Sequence, residues 1–158
     1  TKSSKLNISK LENTKKIADI FAKNIFKSNV ILFYGEIGVG KTTFIKSLVN
    51  SLEKIDKKNI SEITSPTFSL MNQYKLNKFD IHHYDLYRLK SEKDILSLNI
   101  FEDISDKIVL IEWPEILGEH KPRNTIDINF EYGENFNSRY LTISAYEKLK
   151  IFDEFKSL

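Results

Sequence analysis

Val30-Ile31-Leu32-Phe33-Tyr34-Gly35-Glu36-Ile37-Gly38-Val39-Gly40-Lys41-Thr42-Thr43 is the stretch on which the fold turns. Five apolar residues in a row, closed by a glycine, have the form of a strand buried on both faces. Gly35 to Thr42 then match the eight-residue pattern G-x-x-x-x-G-K-S/T in full. Such a loop needs glycines because successive backbone N–H groups curl around a phosphate only where no side chain blocks the approach. Three of the five glycines in the chain fall here. Phe44, Ile45, Leu48, Val49 and Leu52 recur at helical spacing, so a helix over Thr42 to Leu52 follows the loop and aims its positive end at the same anion.

Upstream, Ser9 and Glu12 have the spacing of a capping box, and Leu11, Ile17, Ile20, Phe21 and Ile25 predict an amphipathic helix up to about Phe26. Downstream, Lys54 to Ser61 reads as loop. Phe68 to Tyr74 and Phe79 to Tyr87, separated by Lys75 to Lys78, read as an antiparallel hairpin or two neighbouring strands. Ser91 to Leu98 has the form of a short capped helix, and Ile108 to Ile111 that of a second buried strand. Thr125 to Tyr132 and Arg139 to Ala145 form a strand pair across the turn Gly133 to Ser138. This order predicts one α/β P-loop NTPase domain over residues 1–158. Its mixed sheet is flanked by helices and carries antiparallel C-terminal strands.

The nucleotide chemistry follows from the loop. Lys41 would reach the β- and γ-phosphates, and the Thr42 hydroxyl would ligate Mg²⁺. Ile108-Val109-Leu110-Ile111-Glu112 delivers a carboxylate to a strand end, which makes Glu112 the metal-side acid. Asp85 ends Ile81-His82-His83-Tyr84-Asp85 and is the second acid. Thr67, in Ser65-Pro66-Thr67-Phe68, is a switch candidate toward Mg²⁺ or the γ-phosphate. Asn77-Lys78-Phe79-Asp80 resembles a guanine-reading motif, but it follows a polar stretch and no D-x-x-G switch precedes it. It is therefore a turn, and adenine is favoured over guanine. Trp113, the only tryptophan, follows Glu112 and is placed at the nucleotide edge or on a surface that a partner covers.

Composition bounds the rest. Lys plus Arg is 24 against 22 acids, a formal charge of +2, too small to hold nucleic acid or an anionic membrane by bulk electrostatics. Residues 1–60 carry 12 Lys and 5 acids, and residues 61–158 carry 12 Lys plus Arg and 17 acids, or +7 and −5. The lysines of the first half read as a solvated helix surface, with a tRNA-facing or protein-facing patch as the alternative. The absence of cysteine removes thiol catalysis and Cys-ligated zinc and fits a reducing compartment. His82 and His83, adjacent on a strand, point to opposite faces, which argues against a His-based metal site. No apolar run approaches the roughly 18 residues of a membrane span and no secretory signal pattern is present, so a cytoplasmic protein is expected.

Four blocks in order, Gly35 to Thr43, Ser65 to Phe68, His83-Tyr84-Asp85-Leu86-Tyr87-Arg88-Leu89 and Ile111-Glu112-Trp113-Pro114-Glu115, resemble those of the bacterial TsaE (YjeE) ATPases. The span from Glu12 to Glu115 is covered, and the match fades beyond it. Glu36-Ile37-Gly38-Val39 stands where the family usually has Asp-Leu-Gly-Ala. The resemblance implies ATP hydrolysis in making N6-threonylcarbamoyladenosine in tRNAs that read codons beginning with A, with TsaB and TsaD as partners. It implies ATP and Mg²⁺ as ligands and Lys41, Asp85 and Glu112 as catalytic residues. Gly35, Gly38, Val39, Gly40, Lys41, Thr42, Thr43, Thr67 and Thr14 would bind the nucleotide, Thr14 being the candidate on its adenine side. Thr42 and Glu112 would hold the metal.

Two other functional classes compete. A P-loop small-molecule kinase normally needs an Arg-bearing lid, and here Arg88, Arg123 and Arg139 are scattered over half the chain. A nucleotide-gated interaction module would bind ATP without useful hydrolysis. None of the arginines lies in the P-loop or near Thr67, so slow hydrolysis by the isolated chain and stimulation by partners are expected.

Overall fold

The computed structural model describes residues 1–27, 29–146 and 151–158. The buried run forms β2 (Val30–Tyr34), after the two-residue β1 (Leu6–Asn7) and the helix α1 (Leu11–Ala22). Then come α2 (Lys41–Ile55), β3 (Met71–Lys75), β4 (Asp80–Asp85), α3 (Glu92–Ser97), β5 (Lys107–Glu112), β6 (Thr125–Tyr132), β7 (Arg139–Ala145) and α4 (Ile151–Glu154). The described strands make one seven-stranded sheet in the order β1-β7-β6-β2-β5-β4-β3. β2 runs parallel to β5 and β6, and β5 parallel to β4. β3, β7 and β1 are antiparallel to their neighbours. The expected mixed sheet with antiparallel C-terminal strands is present.

Alternation explains why the central strands are apolar throughout. Ile31 and Phe33 of β2, with Ile108 and Leu110 of β5, face a core shared with α1 and α2. Val30, Leu32, Val109 and Ile111 face a second core that includes Ile95 of α3 and Leu117 of the 3₁₀ segment Pro114–His120. A strand covered on both faces has no position for a polar residue until it leaves the sheet, and β5 leaves at Glu112. The first core is knitted by rings: Phe44 of α2 lies 6.1 Å from Phe21, 6.2 Å from Phe33 and 5.9 Å from Phe130, centroid to centroid.

Several boundaries differ from the sequence expectations. α1 ends at Ala22, short of Phe26, because the Asn24 side-chain amide donates to the Ile20 carbonyl at 2.8 Å and closes the last turn. No capping box forms. Lys10 occupies the N-cap position without a side-chain cap, and the Ser9 hydroxyl instead accepts the Arg139 backbone N–H at 3.0 Å. α2 runs to Ile55, three residues past Leu52, which shortens the expected loop. Phe68 is outside β3 and 85% exposed, because the Leu70 N–H donates to Pro66 O at 2.7 Å and makes a turn there. β4 stops at Asp85, whose carboxylate accepts the Tyr87 N–H at 3.0 Å and turns the chain out of the sheet. α3 begins as expected, with Ser91 accepting the Asp94 N–H at its N-cap.

Phe44 is fully buried at the meeting point of α1, α2, β2 and β6. Phe44→Ala should cost about 3 to 5 kcal/mol of stability, measured by urea denaturation against the parent.

Candidate nucleotide site

The P-loop is the connection from β2 to α2, and two local constraints fix its path. Gly35 has φ +147°, and a Cβ there would lie 2.9 Å from both Cβ and O of Phe130 on β6. The loop therefore leaves β2 pressed against its neighbour, where only glycine fits. Gly40 is left-handed at φ +116° and forms the N-cap of α2, its carbonyl accepting the Phe44 N–H at 3.0 Å. The Tyr132 hydroxyl donates to Ile37 O at 3.3 Å and ties the loop tip to β6.

Lys41 begins α2, and its side chain turns back under the loop. Nζ donates to Gly35 O, and to Glu36 O at 3.2 Å, and lies 3.9 Å from the centroid of the Trp113 ring. The residue is only 5% exposed. Burial pushes the ammonium below its ordinary pKa, against an opposing pull from Glu112, Glu115 and Asp85. The indole face stabilises the cation on its open side.

The two acids arrive in register. Asp85 and Glu112 are paired residues at the ends of parallel strands β4 and β5, and both are buried. Each accepts from a hydroxyl outside the sheet, one on the first turn of α2 and one in the segment before β3. Thr42 Oγ1 donates to Glu112 Oε1 at 2.8 Å, and Thr67 Oγ1 donates to Asp85 Oδ2 at 2.9 Å. Ser65 Oγ extends the second pair, 2.8 Å from Thr67 Oγ1. Lys41, Thr42, Thr67, Asp85, Glu112 and Trp113 line one cavity of about 340 Å³, with Gly38, Gly40 and Thr43 on its loop side. Gly35 and Val39 form the underside of the loop, Val39 being 1% exposed. Thr14 is apart from this cavity. It lines an adjoining cleft of about 160 Å³ with Ile8, Val39, Gly40 and Thr43.

Sequence reasoning assigned no part to three residues at this site. His83 is fully buried, its Nε2 2.8 Å from Glu112 Oε2. The signal was available in its two-residue spacing from Asp85, which puts both on one face of β4. Arg139 lines both the main cavity and the adjoining cleft. It enters from β7, and nothing local in the sequence links it to the loop. Tyr87 is the third, its ring tilted 49° against that of Trp113 at 4.9 Å between centroids. Arg88 instead lies over the exposed Phe68 ring at 5.3 Å.

The parallel central strands, the glycine loop between β2 and α2 and the acids at adjacent strand ends define an α/β domain of the P-loop NTPase class. Residues 8–141 match the family described as "Threonylcarbamoyl adenosine biosynthesis protein TsaE". Similar proteins include the tRNA threonylcarbamoyladenosine biosynthesis protein TsaE of Rickettsia conorii, 36% identical over 137 residues, or 87% of this chain and 75% of that one. The protein so described from Nostoc sp. is 34% identical over 148 residues, 90% of this chain and 86% of that one. The crystal structure of Bacillus subtilus YdiB has the same fold, with a TM-score of 0.73 at 23% identity over 99% of this chain and 95% of that one. The chain belongs to the TsaE family. Among the described residues no helix is long and apolar enough to cross a membrane.

The lowered Lys41 pKa gives a signed expectation. The unfolded chain holds this proton up to about pH 10.5, while the folded protein releases it earlier. The unfolded state then binds more protons, and stability rises with pH through that window. The stability of the parent relative to Lys41→Ala should therefore rise as pH approaches 10.5 from below. Parallel denaturation series on the two proteins between neutral pH and pH 10 test this, and parallel curves would refute it.

Proposed function

We propose that this chain binds Mg-ATP in the loop cavity and hydrolyses it in support of N6-threonylcarbamoyladenosine formation in tRNAs that read codons beginning with A, with TsaB and TsaD as partner proteins. The observation that carries the nucleotide reading is the convergence of Lys41, the Thr42–Glu112 pair and the Thr67–Asp85 pair on one cavity beside a glycine loop. Family membership supports the tRNA-modification role. Cytoplasmic location follows from that role, and contact with tRNA is direct or through the partners.

The residues fit Mg²⁺ rather than a metal caged wholly by protein. Among the described residues no group of three or more His, Asp or Glu is placed to hold a metal. A hydroxyl and one carboxylate, here Thr42 and Glu112, are the usual protein share of a magnesium ion completed by phosphate oxygens and water. When bound, Mg²⁺ supplies neutralisation of the phosphate charge. The backbone from Gly35 to Thr43 cradles the phosphates, Gly38, Val39 and Gly40 contributing N–H groups. Lys41 exchanges the Gly35 and Glu36 carbonyls for phosphate oxygens. Asp85, with Thr67, orients the attacking water. Thr14 and its cleft take the adenine side, and Arg139, between cleft and cavity, adds a cation.

Steady-state ATPase measurement, alone and with the TsaB–TsaD pair, tests the proposal. Slow hydrolysis by the chain alone and acceleration by the pair are expected, because groups that stabilise the equatorial oxygens contribute about 10³ to 10⁵ in rate. Fast hydrolysis indifferent to the pair would sink partner dependence, and efficient transfer to a small hydroxyl acceptor would favour the kinase alternative. Lys41→Ala should abolish tight Mg-ATP binding by calorimetry. Asp85→Ala and Glu112→Ala should lower turnover about 10²-fold or more while leaving ATP binding largely intact. Trp113 emission should change on nucleotide binding, since its ring covers the lysine that moves.

A further inference from the structure

We propose that His83 is a positioning residue that sets the orientation of the Glu112 carboxylate toward Thr42 and the metal. The inference rests on the nucleotide reading of the cavity. His83 lies on β4 between Asn72 of β3 and Leu110 of β5, and its side chain has no solvent exposure. Register partners on parallel strands project to the same face. His83, Asp85, Leu110 and Glu112 therefore share the face on which α2 packs.

Glu112, 2% exposed, divides its two oxygens between two donors. Oε1 accepts from Thr42 and Oε2 lies 2.8 Å from His83 Nε2. A carboxylate that is ionised only accepts hydrogen bonds, so the proposed role requires the hydrogen of the His83 ring to sit on Nε2. His83 Nδ1 is buried and has no partner among the described residues. Among the described residues its ring makes a single polar contact, which is the one to Glu112. A buried imidazole with one nitrogen unpartnered is a poor choice for packing alone, since an apolar side chain of similar volume would leave no orphan.

The consequence is geometric. A carboxylate held only by the Thr42 hydroxyl is free to rotate about its terminal bond, and a metal must then pay to fix it. With Oε2 anchored from behind by β4, Oε1 is presented to the loop before any ligand arrives. Such outer partners of metal-side groups are worth about 10- to 100-fold in metal affinity or activity.

The test compares His83→Leu, which removes the donor, with His83→Gln, whose amide restores one near the Nε2 position. Mn²⁺ uptake by the ADP complex is read by electron paramagnetic resonance, beside metal-free ADP binding. His83→Leu should weaken Mn²⁺ binding by about 10- to 100-fold while metal-free ADP affinity stays unchanged, and His83→Gln should recover most of the loss. Parent-like Mn²⁺ binding by His83→Leu, or equal losses in both variants, overturns the inference alone. A parent whose ADP complex takes up no Mn²⁺ overturns the nucleotide reading and this inference with it. Should His83→Leu fail to fold, the ¹⁵N imidazole spectrum of the parent, assigned by difference from His83→Gln, decides: hydrogen on Nε2 supports the role and its absence refutes it.

Discussion

Three neighbouring strands, β2, β5 and β4, run parallel and in register, so that Phe33, Glu112 and Asp85 sit side by side at one edge of the sheet. The two acids of the site are placed by that alignment. A parallel strand can end in a carboxylate only at its last residue, because the positions before it are buried on both faces. β4 and β5 both end in this way, and β2 ends in the glycine loop. The first turn of α2 then brings Thr42 and Lys41 over the same edge. A slip of one residue between β4 and β5 would send His83 and Asp85 to the face of α3 and leave Glu112 with Thr42 alone.

The same crowding explains the electrostatics. Lys41, Asp85 and Glu112 are all nearly removed from solvent, and buried charges are tolerated only with partners. Each has them from within the site: carbonyls and an indole face for the lysine, a threonine hydroxyl and one further hydrogen-bond partner for each acid. These partners come from the loops and strand ends around the cavity. On the proposed reading, a phosphate entering it would replace existing hydrogen bonds of Lys41 rather than create the first ones. Its advantage would lie in charge, since a phosphate oxygen carries more than the carbonyls it would displace.

What could be read from the sequence separates along the same physical line. Local periodicity determines whether a strand is buried, so Val30 to Tyr34 and Ile108 to Ile111 were legible, and with them the loop and Glu112. Thr125 to Tyr132 and Arg139 to Ala145 were legible to the residue, because alternation and a turn bounded them. Boundaries set by a single hydrogen bond were not. Asn24 ending α1, Leu70 turning at Pro66 and Ser9 accepting from Arg139 are competitions between local bonds that no pattern ranks. Of the residues that line the cavity, those carried by the loop or by strand ends could be picked out from the sequence, and those brought there by tertiary contacts could not. His83 acquires its partner from β5 and Arg139 its position from the far side of the sheet.

Arg139 reaches the loop because of the least conspicuous part of the fold. β1 is two residues long and pairs with β7 through Leu6–Leu141 and Asn7–Tyr140. The Ile8 N–H then donates to Arg139 O at 2.9 Å, and the Ser9 hydroxyl accepts the Arg139 N–H. Both backbone polar groups of Arg139 are thereby used by the segment that leads into α1. That segment cannot shift without moving the start of β7, and Thr14 lies one turn further along the helix. The cleft between Thr14, Val39 and Arg139 is consequently held by main-chain bonds on its N-terminal side and by the core on the other, where Val39 is buried. The two-residue β1 thus forms part of the frame of a cleft whose lining residues Thr14 and Arg139 are more than a hundred positions apart in sequence.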